Sequence, residues 1–200
     1  MTVDMSRSSS ARVSLREQHA QATRERILGA ALSLLERGAA EVSLRAVAAE
    51  AQIAERTLYR YFASREELAS ALTPPIRART SEPLPDTFFE LPDYTRRLFA
   101  RFEQNAQLVI GMVTSPGLRS DLQKTRSRNL EQLRALVDRA FPDAAPAERA
   151  SAAASLRVLL SGAGWAYLRA SCGVPAEEVV AQVCFTIEAV AARLRAGPRR

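Results

Sequence analysis

Residues 43–68 read SLRAVAAEAQIAERTLYRYFASREEL, and the fold follows from how this stretch divides. Ser43 is a good helix N-cap, and Leu44, Val47, Ala48 and Ala51 then share one side of a short helix. Gln52 and Ile53 break it. A second short helix runs from about Ala54 to Tyr61, and Ser64 with Glu67 makes a capping box that opens the next one. Leu58 and Phe62, four residues apart, are spaced to bury against Val47 and Ile53 and so to lock the two short helices at a fixed angle. The other side presents Glu55, Arg56, Thr57, Tyr59, Arg60 and Tyr61, hydrogen-bonding and aromatic groups suited to the base edges and phosphates of a duplex. Solvation alone does not account for two tyrosines on one short polar face.

Upstream, Ile27, Ala30, Ala31, Leu34 and Leu35 recur at helical spacing in a helix that starts near Thr23 and stops at Gly38. Two short helices braced by a longer one is the helix-turn-helix plan. Downstream, the helix opened by Ser64 runs to Leu72, where Pro74 and Pro75 end or kink it. TSEPLPDTFFELP, residues 80–92, holds three prolines and reads as a linker. Helical periodicity returns over Tyr94–Met112 and over Leu118–Phe141, where Leu122, Leu130, Leu133, Leu136 and Val137 form the apolar side. It recurs from Ala147 to Ser171, and after the Gly173-Val174-Pro175 break as far as Leu194. No stretch alternates with period two, so the expected class is all-α without a sheet. The expected parts are a flexible arm over 1–20, a helix-turn-helix domain over 21–72 and a helical bundle over 73–200. The arm is rich in Ser and carries Arg7, Arg12 and Arg16; it is either a solvated tail or a minor-groove contact.

Ser43 to Leu68, set within residues 23–72, closely resembles the DNA-binding signature of the tetracycline-repressor (TetR) family. Thr57-Leu58-Tyr59-Arg60-Tyr61-Phe62 followed by Ser64-Arg65-Glu66-Glu67-Leu68 looks like that family's third helix and the start of its fourth. The resemblance implies that Tyr61 and Arg65 grip phosphates, with Arg45, Arg56, Thr57, Tyr59 and Arg60 at base edges or flanking phosphates. An Arg45 guanidinium can fork onto guanine O6 and N7. Where the family places a turn glycine and a Ser or Thr cap, this chain has Gln52 and Ala54, followed by Glu55. Gln52 is then expected at positive φ, and Glu55 either opposes the helix dipole or accepts from cytosine N4.

Composition fits that picture and excludes others. The chain has 200 residues, 47% of them hydrophobic and 25% charged, the balance of a soluble globular protein. Its formal charge of +6 favours a polyanionic partner, although a bias to Arg over Lys also follows from a GC-rich genome. No signal-like apolar run opens the sequence and no stretch is long enough to span a bilayer, so the expected location is cytoplasmic, with no membrane partner. Cys172 and Cys184 lack a CxxC partner or a nearby His and read as small core residues. No metal site, cofactor or catalytic residue is expected: the single histidine, His19, lies in the arm, and no nucleophile or phosphate-loop motif occurs. A protein that lays basic amphipathic helices on a membrane surface is the remote alternative.

Val180, Val183, Ile187, Val190 and Leu194 repeat at spacings of three and four, and Leu156, Leu159 and Leu160 offer a second apolar stripe. Either set can be core of one chain. The resemblance implies that the last two helices pair with a second copy, making Leu156, Leu160, Val180, Val183, Ile187, Val190 and Leu194 candidates for a homodimer interface on a palindromic operator. It also implies a ligand cavity among helices carrying Phe88, Phe89, Tyr94, Phe99, Phe102, Met112, Trp165 and Tyr167, with Glu103, Gln104, Asn105 and Arg169 as polar groups, although each aromatic taken singly also fits ordinary packing. Phe99, Phe102, Glu103, Met112, Trp165 and Arg169 are the candidate lining. The expected function is a DNA-binding regulator, a repressor released from double-stranded operator DNA by a small-molecule effector; an activator or a ligand-independent regulator fits the same sequence.

Overall fold

The computed structural model of the chain describes residues 14–38, 42–114 and 119–197, with the side chains of 119–126 left aside. The stretch 1–13, with Arg7 and Arg12, and the Leu122 side chain lie outside the described residues. Among the described residues there is no strand. The helices are α1 (Leu15–Glu36), α2 (Leu44–Glu50), α3 (Glu55–Tyr61) and α4 (Arg65–Thr80), followed by a 3-10 turn at Phe88–Glu90. Then come α5 (Leu91–Gln104), α6 (Ala106–Thr114), α7 (Arg119–Ala140), α8 (Pro146–Leu159), α9 (Gly162–Ala166) and α10 (Ala176–Arg195). A π-helical turn, Tyr167–Ser171, continues α9.

Helix α1 starts well before Thr23. Ser14 Oγ accepts from the Glu17 N–H while the Glu17 carboxylate accepts from the Ser14 N–H, a complete capping box. Residues 15–20, with Arg16 and His19, are therefore helix and not arm. Helix α1 ends as expected at Gly38, φ 77°.

Helix α2 begins at its Ser43 cap and ends in a Schellman motif. The Ile53 N–H donates to Ala48 O at 3.0 Å and the Gln52 N–H to Ala49 O at 3.1 Å. That motif needs a left-handed residue at its centre, and Gln52 supplies it at φ 53°. Helix α3 then opens on Ala54, which makes no side-chain cap bond, while Glu55 stands in the first turn.

Pro74 and Pro75 do not end α4. It continues to Thr80 because Leu68, Leu72, Ile76 and Thr80, each four residues on, are all buried on one side. Packing that stripe outweighs the lost backbone bonds of two prolines, about 3 kcal/mol each in a helix interior. The 80–92 segment is likewise no loose linker. Glu82 accepts from Arg97 Nε and Arg101 Nε, both at 2.9 Å, and Phe88 is buried edge-on against Phe141.

Two apolar clusters result. Ile27, Leu35, Val47, Leu58 and Phe62, all fully shielded, hold α1–α4 together, with Ile76 and Leu108 of α6 completing that core. The other cluster gathers Phe99, Leu133, Val137, Leu156, Trp165 and Val183 from α5 and α7–α10. Helix α6 touches both, through Leu108 on one side and Val109 on the other.

The seam expected between copies lies inside the chain. Leu156, Leu160, Val183, Ile187 and Leu194 are buried in this second cluster, with Val180 and Val190 packed half-buried against it. Their three-and-four spacing serves helix packing of α10 on α5 and α8 within one subunit. Cys184 is a core residue as expected, but Cys172 is exposed beyond the π-helical turn.

Candidate nucleic-acid interface and an interior cavity

The candidate DNA-facing surface is built on α3, seven residues and so about 10 Å long, a length that fits within a major groove. Leu58 points inward with no exposure, and Phe62 is equally shielded, with the Arg24 guanidinium 4.5 Å above its ring. This anchoring leaves Arg56, Tyr59 and Arg60 exposed and Thr57 half-exposed on the outer side. Tyr59 keeps 51% of its surface free.

Tyr61 differs from the sequence-based expectation of two equally exposed tyrosines. Its ring packs half-buried against the first core, and the Arg60 guanidinium lies 5.4 Å over its face. Hydrogen bonding from Thr23, then from Arg60, holds its phenol below the usual range, with Arg26 adding a weaker attraction. Tyr61 thus sits half-buried at the edge of the candidate reading surface, with the Arg60 guanidinium over its ring and Arg26 nearby. Arg24, Arg26 and Thr23 of α1 were absent from the expected set; their adjacency to a helix start was the only sequence signal for them.

Arg45, at the start of α2, is 88% exposed, and its Nε lies 3.8 Å from Glu55 Oε1. An exposed pair at this distance contributes at most about 1 kcal/mol, so it aims Arg45 more than it stabilises the fold. Arg65 is exposed in the first turn of α4, beside the capped Ser64. All eight expected contact residues therefore cluster on the α2–α3–α4 end of the chain.

The cavity lies elsewhere than its expected lining implied. A space of about 330 Å³ opens between α4, α5, α6 and the α8–α9 junction. Of the six expected residues, only Phe102 and Met112 line it, beside Tyr94, Leu98, Val113 and Leu160. Phe99 is buried and stacked on Phe102, and Trp165 is buried with its Nε1–H donating to Glu103 Oε1 at 2.9 Å. Arg169 donates to the same carboxylate at 2.7 and 3.2 Å, and to Val174 O at 2.8 Å. Glu103, Trp165 and Arg169 are thus a staple joining α5 to the π-helical turn. Thr80, Arg77, Asn129, Arg157 and Ser161, polar residues of the cavity, come from α4, α7 and α8–α9 and carried no periodic signal in the sequence.

A two-helix turn with a polar outer helix, braced by α1 and α4, is a helix-turn-helix arrangement. Residues 27–72 match the family model of the bacterial regulatory proteins of the tetR family. A search of curated protein sequences finds no match. Among solved structures, a tetR-family transcriptional regulator from Streptomyces coelicolor is similar at a TM-score of 0.58 with 18% identity, over 90% of each chain. A transcriptional regulator from Rhodococcus sp. Rha1 is similar at a TM-score of 0.59 and 18% identity, over 84% of this chain and 95% of that one. Residues 27–72 thus match the DNA-binding domain of that family, and the chain shares an all-α fold with these two solved regulators. No helix among the described residues is long and apolar enough to cross a membrane.

Proposed function

We propose that the protein is a homodimeric repressor that holds a two-fold-symmetric operator with its two α3 helices and leaves it when a small molecule occupies the cavity. The observation that carries this is shared ownership of two helices. Ile76 of α4 and Leu108 of α6 belong to the core under the DNA-reading surface. Arg77 and Thr80 of α4, and Met112 and Val113 of α6, line the cavity. A ligand that wedges these helices apart moves the support of α3, so the bound and free forms present the reading helices differently.

The dimer surface we assign is the outer side of α8 and α10. Ala147, Ala150, Ser151, Ala154 and Ser155 of α8 are exposed, as are Ala181, Phe185, Ala189 and Ala192 of α10. Phe185 keeps 71% of its surface free. Small residues allow helices to approach closely, and an exposed aromatic among them supplies the buried area a partner needs. Two copies joined there would carry reading helices toward successive major grooves, about 34 Å apart.

Sedimentation of the free protein and of its operator complex, with the operator obtained by selection from random duplexes, tests this. The expected result is a dimer in both states and one dimer per site. A monomer that binds a single half-site with full affinity contradicts it.

A further inference from the structure

We propose that the ligand of the cavity is a small apolar molecule bearing one carboxylate, held by the Tyr94 hydroxyl and the Arg77 guanidinium. The inference rests on the cavity being the effector site, as proposed above, and goes further by fixing the ligand's charge.

Tyr94 lines the cavity and is only 3% exposed, yet its hydroxyl makes no hydrogen bond to any described residue. A hydroxyl on a nearly buried residue that has no protein partner and stays reachable from the cavity offers its O–H to an acceptor that enters there. Burial pushes this phenol up to about 12, so it stays an O–H donor at neutral pH. Arg157, also in the wall, adds positive charge beside it.

The charge of the lining points the same way. Glu82 is the carboxylate of the lining, and it is already held by Arg97 and Arg101. Those two guanidinium groups keep it ionised, below the usual carboxylate range. Arg77, exposed at the edge of the cavity, forms no ion pair with a described residue. An ammonium ligand would meet guanidinium groups and no uncommitted carboxylate, and an uncharged acceptor would take up the Tyr94 O–H but leave the positive charge of Arg77 unmatched. Leu98, Phe102, Met112, Val113 and Leu160 supply the apolar wall for the rest of the molecule. At about 330 Å³ the space lies at the small end of ligand pockets.

Titration calorimetry of the full-length protein with octanoate, octanol and octylamine, and with phenylbutanoate beside its methyl ester, tests the proposal. The carboxylates are expected to bind about tenfold or more tightly than their uncharged and cationic counterparts. Tyr94→Phe and Arg77→Gln should each remove most of that preference while leaving the melting temperature and helical spectrum unchanged. The same carboxylates should release operator DNA. Equal or better binding of octanol, the ester or octylamine, abolished by a space-filling Leu98→Trp, overturns the charge assignment and leaves the effector site standing. Carboxylate binding that ignores both Tyr94→Phe and Arg77→Gln also overturns it. Failure of every probe to bind or to release DNA overturns the effector-site reading itself.

Discussion

Gly111 of α6 lies so close to Leu35 of α1 that a β-carbon at 111 would stand 3.1 Å from Leu35 Cδ2 and 3.6 Å from the Leu35 carbonyl oxygen. Leu35 is fully buried and has nowhere to retreat. This contact joins the helix that walls the cavity to the helix that braces the DNA-reading unit. Gly29, midway along α1, has nothing within 4 Å of a β-carbon. Gly29→Ala should therefore stabilise the protein by about 0.5–1 kcal/mol through helix propensity. Gly111→Val should cost about 1–3 kcal/mol through overpacking. Urea denaturation of both variants checks the contrast; equal stability changes would mean that α6 does not bear on α1 at Gly111.

The turn between α2 and α3 stores strain at Gln52, the sole positive-φ non-glycine residue among those described. An L side chain in the left-handed region costs about 1–2 kcal/mol. Gln52→Gly should raise stability by about 1 kcal/mol, and Gln52→Val should lower it, with the Ile53 to Ala48 bond lost in the second case. Thermal unfolding at one protein concentration measures both. An unchanged midpoint for Gln52→Gly would mean that Gln52 is not strained.

Contacts to phosphate and to base edges should separate by variant. Arg65→Ala is expected to weaken all duplexes nearly equally and to lower the salt slope of binding by about one. Arg45→Ala, which removes an 88% exposed guanidinium aimed by Glu55, should relax preference at one base pair by about 1–3 kcal/mol. Fluorescence anisotropy over a salt series, on the preferred duplex and on single-base variants of it, distinguishes these. Parental binding by both variants would refute the contact assignment.

What the sequence made legible was whatever carried its own punctuation. Ser43 and Gln52 bound α2 and Ser64 opens α4, and the places of the eight candidate contact residues on the helices follow from those marks. Elements decided by distant packing were harder. The Ser14–Glu17 capping box is readable but lay in a Ser-rich stretch, and α4 passes its prolines only because Ile76 and Thr80 are buried by residues far along the chain. Tyr94–Met112 divides at Asn105, and Ala147–Ser171 divides near Ser161, where Gly164 packs against the last carbonyls of α8. An apolar stripe on α10 reads the same whether it faces its own chain or a second one, so the seam went to the wrong partner. Cavity residues such as Arg77 and Asn129 have no periodicity at all, because they converge from different helices.

Tyr94 gives a pH signature of the second core. Its folded phenol titrates near 12 against an ordinary 10, so the folded state keeps a proton that the unfolded chain gives up between those values. Below pH 10 the phenol is protonated in both states and has no effect on stability; as pH rises from 10 through 12 ionisation of the unfolded chain costs the fold about 2–3 kcal/mol in all. Urea denaturation at pH 9 to 11 should show a steeper loss for the parent protein than for Tyr94→Phe. Parallel curves would place the phenol in contact with solvent.

The two sides of α10 should respond differently to charge. Ala189→Arg, on the exposed side, is expected to give a folded monomer with at least about tenfold weaker operator binding. Val183→Asp, fully buried in the chain's own core, is expected to unfold it. Sedimentation with circular dichroism reads both; a dimeric Ala189→Arg protein would move the interface elsewhere.

The most direct measurement of the central claim is enrichment of a random duplex library by the purified protein, sequenced and repeated with Tyr59→Ala and Arg45→Ala. The account predicts a two-fold-symmetric sequence enriched by the parent, with recognition altered at symmetry-related positions by each variant. No enriched sequence at moderate salt, or the same sequence enriched equally by the parent and both variants, would contradict it.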